Sequence, residues 1–307
     1  MNGPDFRSGF LAIVGRPNVG KSTLLNALVG RKVAIVSERP QTTRNRILGI
    51  LNRPGLQAAF LDTPGLHKPR HRLGEHMVGV ARRTLREVDA SLLVVAADSR
   101  IGTGDRIVAG FVGEAGRPAI LVVNRADLLP GGPAGEAAAA AVEAYRRLGD
   151  YVAAVAVSAL YGRNLAALLA EVAARLPAGP RYYPEDVVTD QPEQFVVAEV
   201  VREKVLLLTR EEVPHAVAVD VEEMERRPQD MVYVRATIYV ERDSQKGIMI
   251  GQGGSMLREI GRLAREELEA LLGSQMYLDL WVKVKPDWRN REASLRGLGY
   301  HGGYGRN

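Results

Sequence analysis

From Phe10 to Leu176, short apolar runs alternate with stretches whose apolar residues recur every three or four positions. The runs predict strands at Phe10–Val14, Ile47–Leu51, Gln57–Leu61, Ser91–Ala96, Ala119–Val123 and Val152–Val157. The longer periodic stretches predict helices at Lys21–Val29, Gly74–Glu87, Asp105–Glu114, Gly135–Leu148 and Asn164–Arg175. Strands alternating with helices predict an α/β domain with a mainly parallel sheet covered on both faces.

Pro177-Ala-Gly-Pro180 breaks this rhythm, and Arg181–Pro192 reads as an irregular linker. The pattern beyond it is α+β: a helix Gln194–Leu208, strands Ala216–Glu223 and Met231–Glu241, a glycine-rich loop, a helix Ser255–Leu272 and a strand Met276–Lys285. In the last strand Met276, Leu278, Leu280, Val282 and Val284 share one face, and Tyr277, Asp279, Trp281, Lys283 and Lys285 the other. Gly302–Asn307 reads as a disordered tail. A length of 307 residues fits two domains, placed at 1–180 and 193–300, with 181–192 between them and 301–307 as the tail.

Composition narrows the chemistry. The absence of cysteine excludes disulfides, thiolate zinc sites and a cysteine nucleophile. No basic, then apolar leader opens the chain. The longest apolar run, about Ala90 to Ala97, is far short of the ~18 residues a membrane span needs, so a cytoplasmic location is the expectation. Net charge is +5, but it is unevenly spread. Residues 191–307 carry 17 Lys+Arg against 19 Asp+Glu, and residues 1–190 carry 24 against 17. Polyanion binding by the C-terminal part would therefore use a local patch rather than bulk charge.

The segment Gly15, Arg16, Pro17, Asn18, Val19, Gly20, Lys21, Ser22, Thr23 fits the eight-residue phosphate loop plus one, placed between a strand and a helix as that loop requires. Its glycines let backbone N–H groups point at the β-phosphate, Lys21 reaches the β and γ oxygens, and the Ser22 hydroxyl ligates Mg²⁺. Asp62, Thr63, Pro64 and Gly65 end the third strand, placing a Mg²⁺-orienting aspartate beside a glycine N–H that senses the γ-phosphate. Of Thr42 and Thr43, in the polar loop Arg39–Arg44 between the first helix and the second strand, Thr43 is favoured as the Mg²⁺ ligand. Asn124, Arg125 and Asp127 supply base choice: a carboxylate at Asp127 accepts from N1–H and the 2-amino group of guanine, and adenine would leave it unpaired at a cost of several kcal/mol. Ser158, Ala159 and Leu160 would offer a backbone N–H to guanine O6. Here the chain resembles the translation-factor-related class of small GTPases, whose base motif has lysine where Arg125 stands.

Leu66 occupies the place where many GTPases carry a water-orienting glutamine. Intrinsic hydrolysis is therefore expected to be slow, resting on Lys21, Mg²⁺ and backbone amides such as that of Gly65. Asn18 matches the asparagine that coordinates a potassium ion in related GTPases, and it also suits the loop turn. His67 and His71 lie in a basic loop and receive no catalytic role.

Ile250, Gly251, Gln252, Gly253, Gly254 and Ser255 form a second glycine loop without the Lys-Ser a nucleotide site needs. Two strands before it, a helix and strand after it, and Ile-Gly-x-x-Gly are the pattern of a type II KH domain, whose glycines let single-stranded RNA approach backbone amides. Lys246, Arg258, Arg262 and Arg265 flank the loop, and Lys283 lies on the mixed aromatic and basic strand face.

A GTPase domain followed by one KH domain resembles the bacterial Era GTPase family. The resemblance runs through the phosphate loop, Pro40-Gln-Thr-Thr-Arg44, Asp62-Thr-Pro-Gly-Leu-His67, Leu280-Trp-Val-Lys-Val-Lys285 and Leu295-Arg-Gly-Leu-Gly-Tyr300. It implies a monomeric GTP-hydrolysing switch that binds the 3′ end of small-subunit rRNA in the 30S ribosomal subunit and acts in its assembly. It also implies peripheral membrane association, for which no anchoring helix is read. A different class, a signalling GTPase whose C-terminal domain binds a protein, would use the second loop only as a helix cap. An RNA-processing enzyme is disfavoured, because the C-terminal part lacks the clustered carboxylates of two-metal cleavage.

Overall fold

The computed structural model describes residues 6–69, 71–228 and 230–300; the tail Gly302–Asn307 lies outside the described residues. The chain forms two compact units. The first holds residues 6–36, 43–69 and 74–190. Its six strands are β1 (Arg7–Gly15), β2 (Ile47–Arg53), β3 (Leu56–Asp62), β4 (Ala90–Ala96), β5 (Ala119–Asn124) and β6 (Ala153–Ala156), in the order β2-β3-β1-β4-β5-β6. All pairs are parallel except the β2–β3 hairpin. Every residue of β4 and β5 is buried, as expected of central strands covered on both faces, which is why they read as unbroken apolar runs.

The helices of this unit are α1 (Lys21–Val29), α2 (Arg72–Glu87, from Gly74 onward), α3 (Thr103–Ala115), α4 (Glu136–Arg146) and α5 (Leu165–Arg175). The motif loops leave the C-terminal ends of β1, β3, β5 and β6, where open parallel sheets place their ligands. Residues 177–190 carry no helix or strand; 177–180 pair with the start of β1, and the rest run along β2 and β3. The Ile50 N–H donates to Val188 O at 2.8 Å and the Thr189 hydroxyl to Leu48 O at 2.7 Å. The Gln57 side chain, 1% exposed, accepts from the N–H groups of Tyr182 and Tyr183 and donates to Tyr183 O.

The second unit holds Gln191 onward together with Ser37–Thr42 and His71–Leu73. Its elements are α6 (Glu193–Leu208), α7 (Val213–Ala216), β7 (Ala218–Arg227), β8 (Met231–Val240), α8 (Asp243–Ile250), α9 (Ser255–Leu272), β9 (Gln275–Val284) and α10 (Glu292–Gly297). The sheet order is β7-β8-β9, antiparallel then parallel. Helices α6 and α9 pack together, with Ile260, Ala264 and Leu268 forming the buried stripe of α9. Trp288, fully buried, donates to Ala216 O at 2.7 Å and stacks on Tyr300, which fixes the chain after β9.

Three helices were not foreseen: α7, α8 and α10. β7 starts two residues later than expected and runs four further, with a register shift between Val221 and Glu223. The bulge interrupts the two-residue alternation, which hides the continuation of the strand.

Candidate nucleotide site and nucleic-acid interface

In the phosphate loop, Gly20 has φ 90, and a Cβ there would lie 2.3 Å from the Asn124 amide nitrogen. Only glycine meets both demands. Lys21, 6% exposed, opens α1 and donates to Arg16 O at 2.9 Å. Burial lowers its amine to about 8, against the opposing pull of the Asp62 carboxylate. The Arg16 side chain turns away from the loop: its guanidinium meets the buried Asp105 at 2.7 Å and Ser99 at 3.1 Å. Asp105 also accepts from the Gly102 N–H at 2.8 Å, tying the loop to the start of α3. Of the Arg16 groups, only the backbone therefore faces the loop, its carbonyl accepting from Lys21.

Ser22, Thr43 and Asp62 converge. The Ser22 hydroxyl lies 2.6 Å from Asp62 Oδ2 and 2.9 Å from the Thr43 hydroxyl, which is itself 3.2 Å from the same carboxylate oxygen. The other oxygen, Asp62 Oδ1, is buried and has no hydrogen-bond partner of normal geometry among the described residues. Burial raises the Asp62 pKa, opposed by Lys21, the two hydroxyls and the Thr63 N–H. An orphaned carboxylate oxygen beside two hydroxyls is an oxygen donor set suited to Mg²⁺. Thr42 is placed elsewhere, in the second unit, where its carbonyl accepts from the buried Arg202.

Gly65 lies against Pro17, whose backbone nitrogen would be 2.7 Å from an added Cβ, and the Leu66 N–H donates to Gly15 O at 3.1 Å. The side chains of Thr63 and Leu66 are buried. The Thr63 hydroxyl donates to Ile13 O at 2.9 Å, and Leu66 joins the hydrophobic core. Neither presents a group to orient water.

Asn124 is the junction of three loops: its amide donates to Val19 O at 2.9 Å and accepts from the Ala159 N–H at 3.0 Å. Arg125 adopts φ 62, and its guanidinium donates to Asn18 O at 2.6 Å and meets Asp98 at 3.3 Å. A lysine offers a single ammonium here; the arginine fork reaches two partners. Asp127, half-buried, makes no hydrogen bond or ion pair among the described residues. Ser158 is buried and Leu160 is 71% exposed.

The second glycine loop joins α8 to α9. Gly251, Gly253 and Gly254 have φ 72, 58 and 81. A Cβ on Gly251 would lie 2.7 Å from the Met256 nitrogen, whereas Gly253 and Gly254 face open space. Gln252, Gly253, Ser255 and Arg258 are exposed, and Lys246, Ile250 and Gly254 half-buried. Lys283 is not brought to this loop. It lies on the sheet face opposite Met276 and Val282, which are buried on the side where α9 packs, and its amine is held by Glu222 at 2.9 Å. Arg262, expected to lend free charge, is paired with both Glu259 and Glu266 at 2.6 Å. The sequence did not reveal either carboxylate clamp, although Glu259 and Glu266 sit three and four residues from Arg262.

Residues 10–125 match the family described as 50S ribosome-binding GTPase, and residues 212–289 match the KH domain family. Two solved structures are similar along almost the whole chain. One is a variant of Aquifex aeolicus Era bound to GDP·AlF₄⁻, with 41% identity, 96% of this chain and 99% of that chain covered, and a TM-score of 0.92. The other is an Era in complex with MgGDPNP and nucleotides 1506–1542 of 16S ribosomal RNA, with 42% identity, the same coverage and a TM-score of 0.91.

Proposed function

The chain belongs to the Era family of GTPases, and from that membership we propose that it is a GTP-hydrolysing switch that binds the 3′ end of small-subunit rRNA through its KH domain and acts in assembly of the small ribosomal subunit. The observation that carries this reading is the pairing of two distinct glycine devices in one chain. One has Lys21 and the Ser22–Thr43–Asp62 oxygen cluster behind it. The other has open space at Gly253 and Gly254 and no lysine. The division into a GTPase domain at 1–180 and a KH domain at 193–300 is part of the proposal.

Bound Mg²⁺ would neutralise developing phosphate charge; Ser22 and Thr43 would hold it, with Asp62 orienting the set. Lys21 would leave Arg16 O for the β and γ oxygens, and the Gly65 N–H would meet the γ-phosphate. Asp127 would accept from the guanine edge while the Ser158–Leu160 backbone, anchored by the Ala159 N–H bond to Asn124, would border O6. With Leu66 in the core, no side chain at that position orients water, which supports a slow intrinsic rate. The exposed Asn18 supports potassium as an additional cofactor. Exchanging Na⁺ for K⁺ at constant ionic strength should speed hydrolysis, and Asn18→Ala should abolish the difference; equal rates in both salts would remove potassium from the proposal. Among the described residues no helix is long and apolar enough to cross a membrane, so the cytoplasmic monomer with peripheral membrane association that the family implies would use the protein surface.

The decisive test changes Gln252 and Gly253 both to Asp. Two carboxylates where RNA phosphates approach should weaken binding of 16S nucleotides 1506–1542 by roughly tenfold or more at low salt and less at high salt, as repulsion of a polyanion requires. Basal GTP turnover and the melting temperature should hold. Lys21→Ala should do the reverse. Undiminished RNA binding by the double variant would make the loop a helix cap and favour a protein partner.

A further inference from the structure

The charge of this protein is concentrated away from its glycine-loop RNA device. Residues 1–190 carry 24 Lys+Arg against 17 Asp+Glu, and residues 191–307 carry 17 against 19. Within the second unit many cations are neutralised at short range: Arg262 by Glu259 and Glu266, Lys283 by Glu222, Arg235 by Glu223 and Asp279, Arg289 by Glu241. That unit therefore exerts little long-range pull on a polyanion.

The first unit has a cluster of the opposite character. Arg82, Arg83 and Arg86 are exposed on α2 at spacings of three and four, and so share one helix face. Arg117, in the turn between α3 and β5, reaches the same place and donates to Arg86 O at 3.4 Å. Arg82 lies over the Phe111 ring at 4.6 Å and meets the exposed Glu114 at 3.3 Å. Among the described residues Arg83, Arg86 and Arg117 make no ion pair. The cluster is four exposed guanidinium groups, three on α2 and one in the turn after α3, with two exposed carboxylates beside them: Glu114, paired with Arg82, and Glu87, paired with Arg46.

We propose that Arg82, Arg83, Arg86 and Arg117 form a second RNA-docking face, which takes the phosphate backbone of structured RNA flanking the segment held at the glycine loop. The proposal rests on the RNA-binding reading above, because tethering by one site makes a weak second site effective. Planar, exposed guanidinium forks match phosphate oxygens. An anionic lipid surface would call for apolar side chains interleaved with the arginines; no large apolar side chain of α2 is exposed, and of α3 only Ile107 is.

The test compares the full-length protein with the variant R82Q/R83Q/R86Q/R117Q, both with a non-hydrolysable GTP analogue, on 16S nucleotides 1506–1542 and on full-length 16S rRNA. On the long RNA the variant should bind about tenfold or more weakly at low salt, with the slope of log affinity against log salt shallower by about one for each phosphate it no longer neutralises. On the short fragment it should match the parent, as should GTP turnover and melting temperature. An unchanged slope on full-length 16S rRNA overturns the proposal, and so does a loss confined to phosphatidylglycerol vesicles. If the parent fails to hold the short fragment, the glycine-loop reading falls while the long-RNA comparison still decides the arginine face.

Discussion

At Lys21 one proton connects burial to ligand binding. Without phosphate nearby, desolvation lowers the amine from its ordinary 10.5 to about 8. Phosphate oxygens favour the charged form and would raise it again. Above pH 8 nucleotide binding must therefore take up a proton, and affinity for GDP should fall by up to about tenfold per pH unit as the free amine deprotonates. The nucleotide-free fold responds in the opposite direction. Between pH 8 and 10.5 the unfolded chain holds a proton that the folded site has lost, so this residue's contribution to stability rises with pH. Titrating GDP affinity from pH 7 to 9 checks the first point; a flat profile would mean that Lys21 stays charged in its buried position. Lys21, Ser22 and Asp62 were legible because their motif fixes spacing and chemistry together. The Arg125 fork was not. Its substitution for lysine is plain in the sequence, but its partners Asn18 and Asp98 are 107 and 27 residues away and meet it only through the sheet order.

Among the elements, α9 shows how a helix can mute its own charge. Arg258, Arg262 and Arg265 follow the second glycine loop, but Arg262 is clamped between Glu259 and Glu266 one turn to either side. Exposed pairs of this kind add little stability, so Glu259→Gln with Glu266→Gln should leave the melting temperature nearly unchanged. The same change frees a guanidinium, and RNA affinity at low salt should rise with a salt slope steeper by about one. A salt titration with identical slopes would place Arg262 outside the RNA path. The long elements could be read from periodicity: α9 repeats Ile260, Ala264 and Leu268, and β9 alternates along its whole length. Helix α8 could not. Its eight residues, Asp243–Ile250, bury only Gln245 and Met249 and include Gly247, too little for a period to show. What starts it is the Gln245 side chain, which accepts from the N–H groups of Glu241 and Arg242.

For the whole molecule, the alternation of strands and helices was enough to place four motif loops at one end of a parallel sheet, because right-handed crossovers leave few other arrangements. Charge was legible as a total and as an imbalance between the two parts of the chain. Its local value was not, since ion pairing depends on neighbours that only folding supplies. The part with the RNA-type loop is near neutral by count, and folding pairs many of its cations as well, while the exposed arginines gather on α2 and beside α3.

The chain along β2 has a further consequence, for how copies of the protein behave in a crowded solution. An outermost strand with free amides and carbonyls invites a strand from another molecule, and native proteins shorten such margins or cover them. Both remedies are present. At one margin β6 is only four residues long, and at the other Val188 and Thr189 occupy the outward groups of Ile50 and Leu48. A chain ending at Pro180 would keep the nucleotide-site motifs and the six strands, yet it would bare the outer side of β2. Residues with no helix or strand of their own thus help keep the sheet from recruiting its neighbours.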